Sequence, residues 1–150
     1  MKAKLILAIG MCITAGTSLA DTEHAESHEE VNSSVGPDKG ITEADEHDGV
    51  KLSSEAIKNF ELKTQILSGA APWEIPSSAI LTAGEEVNIY RLRNGFYKRI
   101  DFNLISKSGS SLKVNSKDLV KGDAVVMTGV GFLRTAEITA FGGAPEGHSH

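Results

Sequence analysis

Turn signals recur at short, regular intervals between residues 76 and 131, and this spacing limits how the chain can fold more than any other feature. The clearest signal is Asn94-Gly95, a dipeptide that favours the backbone of a two-residue β-hairpin. Each segment between two turns is long enough for a strand. The sequence therefore predicts a mainly β domain, a small antiparallel β-barrel or sandwich.

Each segment between these turns is predicted to be a strand. The predicted strands are residues 76–81, 87–92, 96–105, 112–115, 124–128 and 132–139. Upstream, Ser53 stands at the N-cap position of one short helix over residues 54–60. The alternation of Leu62, Thr64 and Ile66 with polar residues then predicts a strand with one buried face.

Residues 1–20 have the organisation of a secretory signal peptide. Two lysines precede the apolar run of residues 5–13, and residues 18–20 (Ser-Leu-Ala) place small side chains where a signal peptidase reads. The apolar run is shorter than the roughly 20 residues that a membrane-spanning helix needs. We therefore expect a periplasmic protein that is exported across the inner membrane and is not itself transmembrane.

Cys12 is the only cysteine, and it lies within the predicted signal peptide. The rest of the chain therefore has no thiol for a disulfide, a nucleophile or a metal ligand. A lipid anchor on Cys12 is the alternative, although Met11 before it is larger than the residue such a site usually has.

Charge divides the exported chain into a tail and a core. Residues 21–49 carry ten acids against Lys39 alone, whereas residues 50–143 carry twelve Lys and Arg against nine acids. Because the acidic segment has almost no large apolar side chains to bury, we expect it to be disordered. One small β-domain then covers residues 50–142, followed by a second, His-containing disordered tail over residues 143–150. A net charge of -5 without a basic stripe argues against nucleic-acid binding.

All five histidines lie outside the predicted β-domain: His24, His28, His47, His148 and His150. A core without His or Cys cannot build a Ser-His-Asp triad or a histidine-based zinc site, so we expect no enzymatic activity and no required cofactor. The tails nevertheless offer imidazole and carboxylate ligands for weak, pH-dependent binding of Zn, Cu, Ni or Co. The alternative is a solvated acidic tail whose histidines have no such role.

One basic cluster flanks the Asn94-Gly95 turn. It consists of Arg91, Arg93, Lys98 and Arg99. We expect it to contact an acidic partner or the protein's own acidic tail, and an ordinary solvated face is the alternative.

The order of these strands and turns resembles the C-terminal, membrane-proximal β-domain of periplasmic adaptor proteins (membrane fusion, or HlyD-like, proteins) of RND-type heavy-metal efflux systems. The matching segments are residues 76–80, 87–96, 98–100 and 118–126. Asp118 stands where the family has glycine, and Val120-Lys121 stand where it has lysine-proline. Residues 50–57 and 62–64 are similar to the segment that leads into the β-barrel domain of those adaptors.

This resemblance implies an accessory or partial adaptor that contacts an inner-membrane RND transporter or a full-length adaptor. The family's lipoyl-like domain and long helical hairpin have no room between Gln65 and Trp73, so the chain cannot bridge two membranes. A periplasmic metal-binding protein, either buffer or chaperone, is the alternative function. A remnant of a longer adaptor is a third interpretation.

The metal-binding hypothesis predicts measurable heats when zinc, copper or nickel is titrated into the exported form of the protein. A variant with all five histidines changed to alanine is expected to lose those heats, because neutral imidazoles supply the ligands. Isothermal titration calorimetry on the two proteins is the measurement. Equal and negligible heats for both would contradict the hypothesis.

Overall fold

A computed structural model of the protein describes residues 34–142, which form ten β-strands and two α-helices. The strands are β1 (Ile41–Asp45), β2 (Gly49–Leu52), β3 (Lys63–Ile66), β4 (Trp73–Pro76), β5 (Leu81–Ala83), β6 (Glu86–Arg93), β7 (Phe96–Ile100), β8 (Asn103–Ser108), β9 (Ser111–Asn115) and β10 (Ala124–Thr128). The helices are α1 (Ser54–Asn59) and α2 (Val130–Phe141). A 3-10 turn spans Ser77–Ala79, so the strand predicted over residues 76–81 is wrong. Neither of these helices is long and apolar enough to cross a membrane.

The strands form two sheets in which every pairing is antiparallel. The larger sheet has the order β1-β2-β7-β6-β10-β3, and β5 pairs with the first half of β6. The smaller sheet has the order β4-β9-β8. The mainly β, sandwich-like prediction is therefore confirmed, and neither sheet closes into the alternative barrel.

The β6–β7 hairpin forms at the predicted turn. Asn94 and Gly95 have φ angles of 52° and 86°, both in the left-handed region that a type I′ turn requires. The turn sets a register in which Arg93 pairs with Phe96 and Leu92 pairs with Tyr97. Every side chain of this hairpin is thereby assigned to one face of the larger sheet.

The larger sheet is the middle layer of three, with a separate apolar core on each face. Side chains alternate along its strands, so Tyr90 and Val126 face the helices, while Ile89 and Val125 face the smaller sheet. The buried members of the helix-side core are Ile41, Val50, Leu52, Ala56, Leu81, Tyr90, Tyr97, Val126, Leu133 and Ala136. Those of the core between the sheets are Leu67, Trp73, Ile75, Ala79, Ile89, Ile100, Leu112, Val114, Leu119 and Val125.

Helix α1 begins where its cap was predicted. The Ser53 side chain accepts a hydrogen bond from the Ala56 amide at 3.1 Å, and Ala56 is buried in the helix-side core. The helix ends at Asn59, one residue before the predicted boundary.

The predicted strand over residues 132–139 is wrong, because this segment lies within helix α2. Leu133 and Ala136 are buried at a spacing of three residues, which a helix places on one face and a strand does not. The β-branched residues favoured a strand, but the hydroxyls of Thr135 and Thr139 donate to carbonyls one helical turn earlier. Packing on the sheet therefore overrides a local preference for β structure.

The single strand predicted over residues 96–105 is divided between the two sheets. β7 ends at Ile100 and β8 begins at Asn103. The Asp101 carboxylate accepts a hydrogen bond from Asn88 Nδ2, and its carbonyl accepts one from Ser116 Oγ, each at 2.6 Å. Asp101 therefore lies at the point where the chain leaves one sheet for the other.

The expected buried face of residues 62–66 is only partly right. Leu62 packs against the helix-side core, but Ile66 is 70% exposed and Leu67 is buried. The period of two places Ile66 on the same, helix-side face as Leu62, but neither core includes it, whereas Leu67 packs in the core between the sheets.

The domain begins earlier than the sequence suggested. Residues 41–49 were expected to belong to a disordered acidic tail, but β1 pairs with β2 and Ile41 is buried. One buried aliphatic residue and a hairpin partner are enough to attach this acidic segment to the sheet. The predicted signal peptide, residues 21–33 of the acidic tail and the tail over residues 143–150 lie outside the described residues.

Gly49 is the residue at which the chain turns from β1 into β2. Its φ angle is +100°, and an added Cβ would overlap the carbonyl oxygen of Tyr97 on β7. The backbones of β2 and β7 therefore approach each other at a distance that only glycine allows.

The substitution Gly49→Ala is expected to lower the free energy of unfolding by about 3 kcal/mol, because it adds a backbone clash to an unfavourable φ angle. Gly109→Ala is the matched control, since Gly109 has a φ of +57° and no atom within 4 Å of its added Cβ. We expect the control to lose about 1 kcal/mol. Urea unfolding measures both, and equal losses would contradict the close approach.

Candidate functional site

The four basic residues of the predicted cluster lie on β6 and β7, but they do not share one face. Arg91 pairs with Lys98, and both point toward the smaller sheet together with Arg93. Arg99 pairs with Tyr90 and points toward α2. The cluster is therefore two separate groups.

Arg91 and Arg93 donate hydrogen bonds to the loop that precedes β10. Arg93 Nε and Nη2 donate to the two carboxylate oxygens of Asp123, each at 2.7 Å. Both arginines also donate to the carbonyl of Asp118, at 3.2 and 3.3 Å. Burial raises the pKa of Asp123, but the hydrogen bonds from Arg93 and the Val120 amide outweigh it, so the pKa lies below its ordinary value. Arg91 is 6% exposed, and its buried Nε has no acceptor among residues 34–142.

On the other face, Glu137 of α2 is the centre of a polar network. The Tyr90 hydroxyl donates to Glu137 Oε2 at 2.6 Å, and Arg99 Nε donates to Glu137 Oε1 at 3.0 Å. Arg134, one turn earlier on α2, forms an ion pair with Oε2 at 3.0 Å. One carboxylate therefore ties the helix to two neighbouring strands of the sheet.

The same network extends outward along β6. Arg99 Nη1 donates to Glu86 Oε2 at 2.7 Å and to Asn88 Oδ1 at 2.9 Å. Asn88 is buried and donates in turn to Asp101. The Arg99 guanidinium thus has three acceptors within the domain, which is the arrangement of a structural ion pair.

The pKa shifts in this network keep Glu137 ionised and the Tyr90 hydroxyl protonated. Burial raises the pKa of Glu137, but hydrogen bonds from Tyr90, Arg99 and Arg134 outweigh that effect and leave the pKa below its ordinary value. Burial and the hydrogen bond to Glu137 raise the pKa of the Tyr90 hydroxyl, which stays protonated as a donor. Glu137 is therefore an anion at neutral pH, and its lone pairs are occupied by three donors.

A cleft of about 210 Å³ runs beside the outer edge of β7. Its walls are the turn between β1 and β2, the end of α2 and the loop before β10. We call it the β7 cleft; its lining includes Glu46, Gly49, Lys98, Arg99, Ile100, Asp101, Lys117, Asp118, Glu137 and Phe141. Lys98 and Arg99 are the members of the predicted basic cluster that line it.

Of the five histidines proposed as metal ligands, His47 alone falls within residues 34–142. It is exposed in the turn between β1 and β2, where its amide donates to Asp45 Oδ1 at 2.8 Å and its carbonyl accepts a hydrogen bond from Lys98 Nζ. His24, His28, His148 and His150 lie outside the described residues. Within residues 34–142, no three His, Cys, Asp or Glu side chains are grouped closely enough to hold a metal ion.

Comparisons of the chain with protein-family models, with characterised proteins and with solved structures return no match. The resemblance to efflux adaptors therefore depends on the sequence motifs alone.

Sequence reasoning missed the residues that complete both groups. Glu137 was assigned to a strand, although Arg134 and Glu137 are three residues apart, the spacing of an ion pair on a helix. Tyr90 and Asn88 gave no signal, because their partners are distant in sequence. Lys117 was likewise not singled out.

The substitution Glu137→Gln is expected to lower the free energy of unfolding at neutral pH by about 2 kcal/mol, because charge-assisted hydrogen bonds are lost. The folded pKa lies below the ordinary value of 4.5, so the wild-type carboxylate contributes stability above that pH and loses it as the pH falls through the folded pKa. The difference between variant and wild type should therefore shrink in acid.

Urea unfolding at neutral pH and again at about pH 3 measures this difference. Glu85→Gln is the matched control, since Glu85 is exposed in the turn between β5 and β6 and is expected to change little at either pH. A loss for Glu137→Gln that stays constant with pH would show that the charge is not what stabilises the fold.

Proposed function

We propose that this protein is a periplasmic accessory or partial adaptor of a heavy-metal RND efflux system, acting through protein-protein contacts. The resemblance of its strands and turns to the membrane-proximal domain of efflux adaptors motivates the proposal. The observation that carries it is an exposed strand, β8, on the open edge of the smaller sheet.

All six residues of β8 are exposed, so its side chains contribute nothing to either core. β8 pairs with β9 on one side, and no strand of residues 34–142 pairs with it on the other. Leu104 and Ile105 expose 54% and 57% of their surface there. Large aliphatic side chains at an open sheet edge are a typical surface for protein contact.

The edge is also protected against indiscriminate pairing. Ile105 is an extra residue in the β8–β9 ladder, and Lys107 places a charge on the same strand. Bulges and lysines on edge strands discourage aggregation with other sheets. This combination favours a selective partner over self-assembly into larger sheets.

The connection between β3 and β4 supports a partial role. β3 ends at Ile66 and β4 begins at Trp73, so a short loop stands where the adaptor family inserts its lipoyl-like domain and helical hairpin. The proposed contact is therefore with the inner-membrane transporter or with a full-length adaptor. Arg93 and Arg99 are engaged in internal ion pairs with Asp123 and Glu137, so their charges stabilise the domain itself.

A photo-crosslinking residue at position 105 is expected to capture an inner-membrane RND transporter or a full-length adaptor in whole cells, because that side chain is exposed on the open edge strand. Ile66 is the matched control, since it is an exposed aliphatic residue on the larger sheet. Mass spectrometry of the adducts identifies the partner. Absence of both partners, or equal capture from position 66, would contradict the proposal.

The substitution Ile105→Glu extends the same experiment. It should abolish the adduct while changing the free energy of unfolding by less than about 0.5 kcal/mol, because the side chain is not buried.

A further inference from the structure

The outer edge of β3 is an open end of the larger sheet. β3 comes last in the order β1-β2-β7-β6-β10-β3, and no strand in the described part of the chain pairs with it on its outer side. The Leu67 amide donates to the Asp123 carbonyl at 2.8 Å, so Leu67 and, two residues earlier, Gln65 direct their backbone groups to β10. The backbone N–H and C=O groups of Thr64 and Ile66 therefore point outward.

These two residues form a regular unpaired edge. Each offers one donor and one acceptor, and the two residues have the spacing of two that strand pairing needs. The bulge in the β3–β10 ladder lies on β10, between Val126 and Thr128, so β3 itself is uninterrupted. On β8, in contrast, the bulge lies on the edge strand. The edge of β3 therefore has the geometry to accept another strand.

Ile66 gives this edge an apolar side chain that the domain does not cover. It is 70% exposed and belongs to neither core. Thr64 is on the same face, because side chains alternate along the strand. β4 lies on the opposite face, where Gln65 Nε2 donates to the Glu74 carbonyl at 2.7 Å. Burial of Ile66 by an added strand would therefore displace no contact of either core.

The sequence of β3 is complementary to itself in an antiparallel pair. A two-fold axis at Gln65 pairs the outward groups of Thr64 with those of Ile66 in a second copy, and the reverse. Two β-branched side chains then meet on the exposed face, and residues of this type fit a pleated surface well. Gln65 meets its own copy at the axis, and Lys63 lies opposite Leu67. No like charges are therefore paired directly.

The exposed charges around this edge balance within each copy. They are Lys63 and Glu61 at one end of β3, Lys121 near the other end and Glu74 on the face toward β4. Asp123 is buried and is already paired with Arg93. Two lysines and two glutamates leave no net charge along the edge, so a second copy is not repelled there.

We propose that the outer edge of β3 pairs with the same edge of a second copy, so that two larger sheets become continuous across a two-fold axis at Gln65. Pairing covers this edge in both copies, so assembly stops at the dimer. Only four residues of each copy form the strand pair, which is less area than a stable dimer buries. We therefore expect a dissociation constant on the order of 100 μM. The inference is independent of the proposed function, because β8 stays free in this dimer.

Sedimentation velocity of the purified protein between about 10 μM and 1 mM should show an equilibrium between monomer and dimer. Amide hydrogen exchange should slow at Thr64 and Ile66 as the concentration rises, because their N–H groups point outward. The Gln65 amide, which already faces β10, should change little. A protein that stays monomeric over this range would overturn the proposal.

The substitution Thr64→Pro is expected to weaken the dimer by about tenfold or more, because it removes an outward donor from each copy. An edge strand tolerates proline where the N–H faces solvent, so the unfolding midpoint should change little. Ile105→Glu is the matched control on the other exposed edge, and it should stay within about twofold. Loss of the dimer in Ile105→Glu but not in Thr64→Pro would show that the copies pair through β8.

A cysteine at the two-fold axis tests the register directly. In antiparallel pairs without hydrogen bonds the Cα atoms are about 4.5 Å apart, which a disulfide can span. Gln65→Cys in a Cys12→Ser background should therefore give a linked dimer with oxidised glutathione. Ile105→Cys in the same background is the control and should stay largely monomeric. No linked dimer from Gln65→Cys, or equal yields from both variants, would overturn the register.

These outcomes are distinct from failure of the proposed function. A transporter or adaptor adduct from position 105 without a dimer refutes the β3 assignment alone. A dimer without such an adduct refutes the proposed partner and leaves the β3 assignment in place.

Discussion

The register of the β6–β7 hairpin determines what each face of the domain contains. Asn94-Gly95 sets that register, and the period of two along the strands then decides which face each side chain occupies. A slip of one residue would send Tyr90 into the core between the sheets and Ile89 toward the helices, and it would separate Arg99 from Glu137. Both cores and the polar network therefore depend on one local turn, whose backbone preference is intrinsic to its two residues.

The polar network around Glu137 fixes the orientation of helix α2, which apolar packing alone would leave open. α2 buries Leu133 and Ala136, two modest side chains that many helix orientations would satisfy. Glu137 removes that freedom, because its oxygens meet the Tyr90 hydroxyl and the Arg99 guanidinium at hydrogen-bond distance only in one placement.

Much of the β framework could be predicted from the sequence, because hairpin turns and the N-cap at Ser53 are local. Helix α2 could not, since Thr135 and Ile138 favour strands and the helix depends on packing against a sheet assembled from distant residues. The contacts of the candidate site were harder to predict than helix α2. Arg99 was singled out for its charge, but its partner Glu137 is 38 residues away, and no pattern of spacing reveals such a pair. The acidic composition of residues 41–49 likewise hid a strand held by the buried Ile41.

Strand β8 forms six residues of ordered sheet without burying any of them. Its structure depends on the ladder to β9 alone, so opening that edge exposes almost no apolar surface of either core. Substitutions on β8 are consequently nearly invisible to the stability of the domain. Natural selection can change the outward residues of this strand to follow whatever surface it meets, while the two cores continue to be selected for folding alone.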